Sequence, residues 1–231
     1  MGENINQYQQ RTRGFMMNSL KYNCAFETRP SLRQKVNDEG HFIPFYGDTI
    51  VFNLDNAIKN KALELQNVLY ENNQNILADR IDPSTFHVTL HDLSNGNSRN
   101  ELLSQMEQNK ESSTKILEMV ESEKLDPISL RTVSVFNMVN TSVVLGLEPA
   151  NNRSCYRLMA LHNRFQSVVR LDYPLTLHIT LGYYKPGTYS PEQISQLNQT
   201  FMELNKTMGE EFFLDEKQLL YQRFDSMNHY F

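Results

Sequence analysis

Apolar positions along the chain recur with two periods that alternate. Asp55 or Asn56 can cap a helix. Ile58, Ala62, Leu65 and Leu69 then recur at i, i+4, i+7 and i+11 until Glu71-Asn72-Asn73 ends the stripe, which predicts an amphipathic helix. Before it, Thr49 to Leu54 reads as a strand. After it, Thr85 to His91 reads as another, with Phe86, Val88 and Leu90 on one side and His87 and Thr89 on the other. The same order returns later: a strand from Thr141 to Leu147, an amphipathic helix from Cys155 to Val169, and a strand from Leu175 to Tyr183. Residues 49–91 and 141–183 are units of equal length. That repetition predicts an α+β fold, bilobal, with two pseudo-symmetric lobes whose antiparallel sheets form a central cleft and whose helices lie outside.

Between and around the units the pattern is plainer. Gly40 to Asp48 carries two Gly and one Pro among aromatics, as an ordered loop would. Asn95-Gly96-Asn97 is a turn signal, followed by a helical stretch to about Lys124. Ile128 to Met138 reads as the antiparallel partner of the strand at Thr141. Pro186-Gly187 is a turn, Pro191 to Met208 a helix, and Glu211 to Leu214 with Gln218 to Phe224 the last strands. Residues 1–34 hold few apolar positions. They are expected to form an N-terminal arm packed on residues 35–231, a single bilobal domain.

Composition narrows the function classes. With 22 Lys and Arg against 27 Asp and Glu the net charge is −5, which disfavours a protein that grips a long polyanion. No run of 18 apolar residues occurs, and Met1-Gly2 is followed by Asn6 where a myristoylation signal needs Ser or Thr, so neither a membrane span nor a lipid anchor is expected. Cys24 and Cys155 lie far apart and read as reduced thiols. The expectation is a cytoplasmic protein, with a monomer favoured.

The strongest chemical signal is a pair of matching tetrapeptides, His87-Val88-Thr89-Leu90 and His178-Ile179-Thr180-Leu181, one closing each unit. In a strand the spacing of two points His and Thr to one face while the apolar residues between them enter a core. One such motif is most simply a polar edge on a half-exposed strand. Two in equivalent places would set two imidazoles and two hydroxyls around one point. Imidazoles can take and give protons near neutral pH, and stiff threonine hydroxyls can hold phosphoryl oxygens.

With these motifs the sequence resembles the two-histidine phosphoesterase superfamily, which includes bacterial RNA 2′,3′-cyclic phosphodiesterases, also called 2′,5′ RNA ligase-like proteins. The stretch Gly40-His41-Phe42-Ile43-Pro44-Phe45-Tyr46-Gly47-Asp48-Thr49 is similar to one in a little-characterised bacterial and fungal branch. The resemblance covers roughly residues 35–185. It implies phosphodiester hydrolysis without a cofactor or metal, with His87 and His178 as acid and base and Thr89 and Thr180 as phosphate holders. The implied substrate is a small nucleotide or cyclic phosphate, or an RNA 3′ end.

Three further residues are candidates for substrate binding: His91, which shares strand parity with His87; Tyr184, which shares it with His178 if the strand runs straight; and Asn53, at the end of the first strand. Arg131 and Arg223, in late strands, are weaker candidates. His87 and His91 would stand about 13 Å apart along a strand, too far to share one zinc. A non-catalytic module holding a nucleotide or phospho-ligand, or a protein that handles RNA ends, would use the same face; the intact pair of His and Thr favours catalysis.

Overall fold

A computed structural model describes residues 3–17, 20–21, 24–124 and 126–231; the Met1-Gly2 start lies outside them. In chain order the elements are helix α1 (Ile5–Met17), strands β1 (Phe26–Glu27) and β2 (Tyr46–Asn53), helix α2 (Asn56–Asn73), strand β3 (His87–Gly96) and helix α3 (Arg99–Glu123). Strands β4 (Ile128–Met138) and β5 (Ser142–Pro149), helix α4 (Asn152–Phe165), and strands β6 (His178–Tyr183) and β7 (Thr188–Tyr189) follow. Helix α5 (Pro191–Leu204) and strands β8 (Glu211–Leu214), β9 (Leu219–Ser226) and β10 (His229–Tyr230) complete the chain.

The fold is α+β. One four-stranded sheet has the order β10-β9-β2-β3, the other β6-β5-β4-β8, and every pairing in them is antiparallel. Each repeated unit supplies two neighbouring strands of one sheet, β2 with β3 and β5 with β6. The last strands part company. β8 joins β4 in one sheet while β9 crosses to β2 in the other, so the C-terminal segment links the two lobes.

Local chemistry accounts for the elements. The Asp55 carboxylate accepts the Ile58 N–H at 2.9 Å to cap α2, whose Ile58, Ala62, Leu65 and Leu69 are buried. Asn151 caps α4 in the same way, and Ser190 with Gln193 forms a capping box at α5. Strand β5 is buried along its whole length, its Val143, Val144, Leu145 and Leu147 included, as expected of a strand covered on both faces. The carboxylate of Asp48, 1% exposed, accepts from Ser94 N–H (2.8 Å), Asn109 Nδ2 (3.1 Å) and the Tyr221 hydroxyl (3.0 Å), tying β2, β3, α3 and β9 together.

The segment before residue 35 is built into this body. α1 packs on β4, β5 and α4, and β1 pairs with β7. Glu148 on β5, 1% exposed, ion-pairs with Arg13 of α1 at 3.0 Å and with Arg131 of β4. Arg131 is therefore spent on holding the arm, and Arg223 pairs with Glu107 of α3 at 3.0 Å. Among the described residues no helix is long and apolar enough to cross a membrane.

Candidate functional site

The two sheets turn β3 and β6 toward one cavity of about 730 Å³, and His87, Thr89, His178 and Thr180 all line it. All four are half-buried, while Val88, Leu90, Ile179 and Leu181 are in the core, which is the alternation that a strand with one polar face requires. Both imidazoles are tethered alike. Nδ1 of His87 donates to the Thr85 carbonyl at 2.7 Å, and Nδ1 of His178 donates to the Thr176 carbonyl at 2.8 Å. A carbonyl can only accept, so each Nδ1 carries the proton, and Nε2 is the nitrogen left for proton transfer. Among the described residues neither threonine hydroxyl makes a hydrogen bond.

The electrostatics follow from enclosure. Burial pushes His87 down to about 4, and the neighbouring His178 adds to this, while the bond to Thr85 and the charge of Asp92 oppose it. Burial also lowers His178, with Lys35 pushing the same way and Asp92 against. Both rings are thus neutral at pH 7 in the open site. Although the chain carries −5 overall, among the described residues this cavity is lined by Arg29, by Lys35 and by Arg11, which is paired with Glu3 at 2.8 Å, against one carboxylate, that of Asp92. A positive hollow in an acidic protein attracts an anion.

His91 reaches the cavity wall, but by a different route from the one strand parity predicts. β3 bulges at Leu90, since Ile50 pairs with His91 and Val51 with Thr89. The extra residue reverses the parity beyond it, so Asp92 takes the cleft side and the His91 ring packs on His162 of α4, 5.0 Å between centroids. A second bulge corrects the expectation for Tyr184. Val143 pairs with Gly182 and Val144 with Thr180, leaving Leu181 as the extra residue of β6. Tyr183 therefore lines the cavity, and Tyr184, 0% exposed, is a core ring 5.0 Å from Phe26. Asn53 pairs in register with His87 but is exposed and does not line the cavity; its carbonyl accepts from Gln218.

Several cavity residues carry no periodic signal. Tyr230, the penultimate residue, packs its ring against His87 at 4.8 Å between centroids, tilted by 58°. Tyr173, in the loop before β6, donates its hydroxyl to Asp92 at 2.8 Å and bridges the two lobes. Lys35 lies against the loop at Phe45. Asp92 had one legible sign, its place beside the first motif. Among the described residues no group of three His, Cys, Asp or Glu is placed to hold a metal ion.

No family model matches the chain, and no curated protein matches it. Among solved structures it is similar to a conserved protein of unknown function from Agrobacterium tumefaciens, at 16% identity, covering 88% of this chain and 91% of that one with a TM-score of 0.65. It is also similar to LigT of E. coli complexed with 3′-AMP, at 11% identity, covering 81% of this chain and 94% of that one with a TM-score of 0.48. The likeness to the Agrobacterium protein is one of fold.

Proposed function

We propose that the cavity hydrolyses a phosphodiester of a small nucleotide, a 2′,3′-cyclic phosphate or a short 2′,5′-linkage, in the manner of the two-histidine phosphoesterases. The observation that carries this reading is the symmetric pair of imidazoles in one positive cavity, each tethered through Nδ1 to the carbonyl two residues before it. A volume of about 730 Å³ falls in the roughly 300–1,000 Å³ range of small-ligand sites.

The chemistry divides between the rings. One Nε2 takes a proton from water as its oxygen attacks phosphorus. The other Nε2, protonated, gives its proton to the ribose oxygen as the P–O bond breaks, and the two histidines re-equilibrate through solvent. Enclosure holds both rings neutral when no anion is present. An arriving phosphodiester brings the negative charge that raises one of them into its acid form, so protonation and binding are coupled. Thr89 and Thr180 hold non-bridging oxygens through hydroxyls that bring no charge needing compensation. In the same reading residues 35–231 act as one bilobal domain, and residues 1–34 as an arm fixed to it.

Turnover of a panel of 2′,3′-cyclic, 3′,5′-cyclic and 2′,5′-linked nucleotides tests this. His87→Ala and His178→Ala are each expected to lower kcat/KM by roughly 10²–10⁴-fold on any accepted substrate. A wild-type protein inert toward the whole panel, or a histidine variant with undiminished turnover, overturns the reading.

A further inference from the structure

Lys35 lines the cavity and, among the described residues, its ammonium has no direct ion pair. Its backbone is fixed on both sides, the N–H donating to Leu32 at 2.9 Å and the carbonyl accepting from Ile43 at 3.0 Å. Its ammonium lies 5.0 Å from the centre of the Phe45 ring and 5.9 Å from that of Tyr183, so two aromatic faces aim it. Among the described residues it makes no hydrogen bond and no ion pair. Among the described residues one carboxylate lines the cavity, Asp92; it accepts the Tyr173 hydroxyl at 2.8 Å, and its charge favours the ammonium without contacting it. Lys35 is nevertheless close enough to His178 to repel its proton.

Burial among these rings lowers the Lys35 pKa and the distant charge of Asp92 offsets this only in part, so the charged ammonium is costly until an anion makes direct contact with it. We propose that Lys35 is a phosphate-binding residue that contacts a non-bridging phosphoryl oxygen of the ligand between His87 and His178. This rests on the phosphodiesterase reading for the reaction but not for the anion. The motif pair alone supplies only neutral hydroxyls to these oxygens; Lys35 adds a fixed charge. A phosphodiester carries one negative charge, and its pentacoordinate transition state carries two once water is deprotonated. Lys35 therefore favours the transition state over the ground state, and its loss falls on kcat more than on KM.

The experiment has a binding arm and a kinetic arm. Inorganic phosphate is titrated into wild type, Lys35→Met and Lys35→Arg by calorimetry, with melting temperature recorded for each; Lys35→Gln is read in place of Lys35→Met if the latter fails to fold. Lys35→Met is expected to weaken phosphate binding by at least about 10-fold and kcat/KM by about 10²-fold, with Lys35→Arg recovering most of both. The acid limb of the rate profile should also move to higher pH in Lys35→Met. Burial and Lys35 hold the proton of His178 off, the Thr176 carbonyl and Asp92 hold it on, and His178 in turn lowers His87. Equal phosphate affinity in wild type and Lys35→Met, or no phosphate binding by wild type, overturns the inference. If phosphate binding depends on Lys35 but no phosphodiester is turned over, the anion site stands and the hydrolytic reading falls.

Discussion

Replacing Tyr8 by Phe tests how far the N-terminal helix is part of the site. Tyr8 is 0% exposed, and its hydroxyl is inserted between β5 and the segment leading to β6. It accepts the Leu177 N–H at 3.0 Å and donates to the Leu147 carbonyl at 3.2 Å, while the neighbouring Leu147 N–H donates directly to Leu177 at 3.0 Å. The phenol thus stands in for a rung of the ladder where the two segments splay. Arg11, one turn later on α1, donates to the Leu175 carbonyl at 2.7 Å and to Thr176 Oγ1 at 3.0 Å. The Thr176 carbonyl is the tether of His178. Tyr8→Phe keeps the ring and removes only the hydroxyl, leaving a buried donor and acceptor without this partner, which costs about 1–3 kcal/mol. At about 2–4 °C per kcal/mol for a chain of this length, the melting temperature should fall by roughly 2–12 °C in calorimetry. Because the splayed segment aims His178, turnover should fall by about 10-fold or more at a temperature where the variant is still folded. Hydrogen exchange at the Leu177 amide should speed up while that of β4 amides does not. A melting temperature within about 1 °C of wild type, with unchanged exchange at Leu177, would refute the claim that the arm supports the site.

The other expected outcomes can be checked with the same protein. Thr89→Val and Thr180→Val should each lower kcat/KM on an accepted phosphodiester by less than the histidine substitutions, since each removes one neutral donor; a loss as large as that of His87→Ala would assign the hydroxyl a different role. The folded-state value of His87 is held near 4, below the 6.5 of an unfolded chain, so the unfolded state binds more protons between these values. Stability is then full above about pH 6.5 and is lost as pH falls toward 4, as is also the case for His162, pushed to about 4 by burial and by His91. Melting temperatures measured across that window should drop, and the drop should shrink in His162→Gln. On a long RNA bearing an accepted cyclic end, kcat/KM should depend on salt no more steeply than on the mononucleotide. A slope of several units, at about −0.7 for each phosphate neutralised on a single strand, would show that the chain grips a polymer.

What could be read from the sequence and what could not divide along a physical line. Periodicity reports which face of a regular element is apolar, and so the repeated strand, helix and strand, the Asp55 cap and the shared face of His87 with Thr89 and of His178 with Thr180 were legible. A bulge leaves no such mark. One extra residue at Leu90 and one at Leu181 reverse the parity beyond each motif, and each reversal changes which residue lines the cavity: Asp92 joins His91 on the first strand, and Tyr183 takes the place of Tyr184 on the second. The two lobes thus share the deviation as well as the motif. Gly182 is the one local sign of the second, and a Cβ there would meet the Tyr70 hydroxyl at 2.8 Å. Thr85 and Thr176 each precede their histidine by two positions, so the repeat is in fact T-x-H-x-T-L, and its first position supplies the carbonyl that fixes each ring. The remaining cavity groups come from segments with no period at all: Lys35 from a short turn, Tyr173 from a loop, Tyr230 from the chain end and Arg11 from a helix whose stripe is mostly polar. The crossing of β9 to β2, with β10 paired to it, brings Tyr230 to the two histidines, and the packing of α1 against β5 brings Arg11. The motif therefore sets the paired imidazoles and hydroxyls locally, and the tertiary fold brings the cations around them.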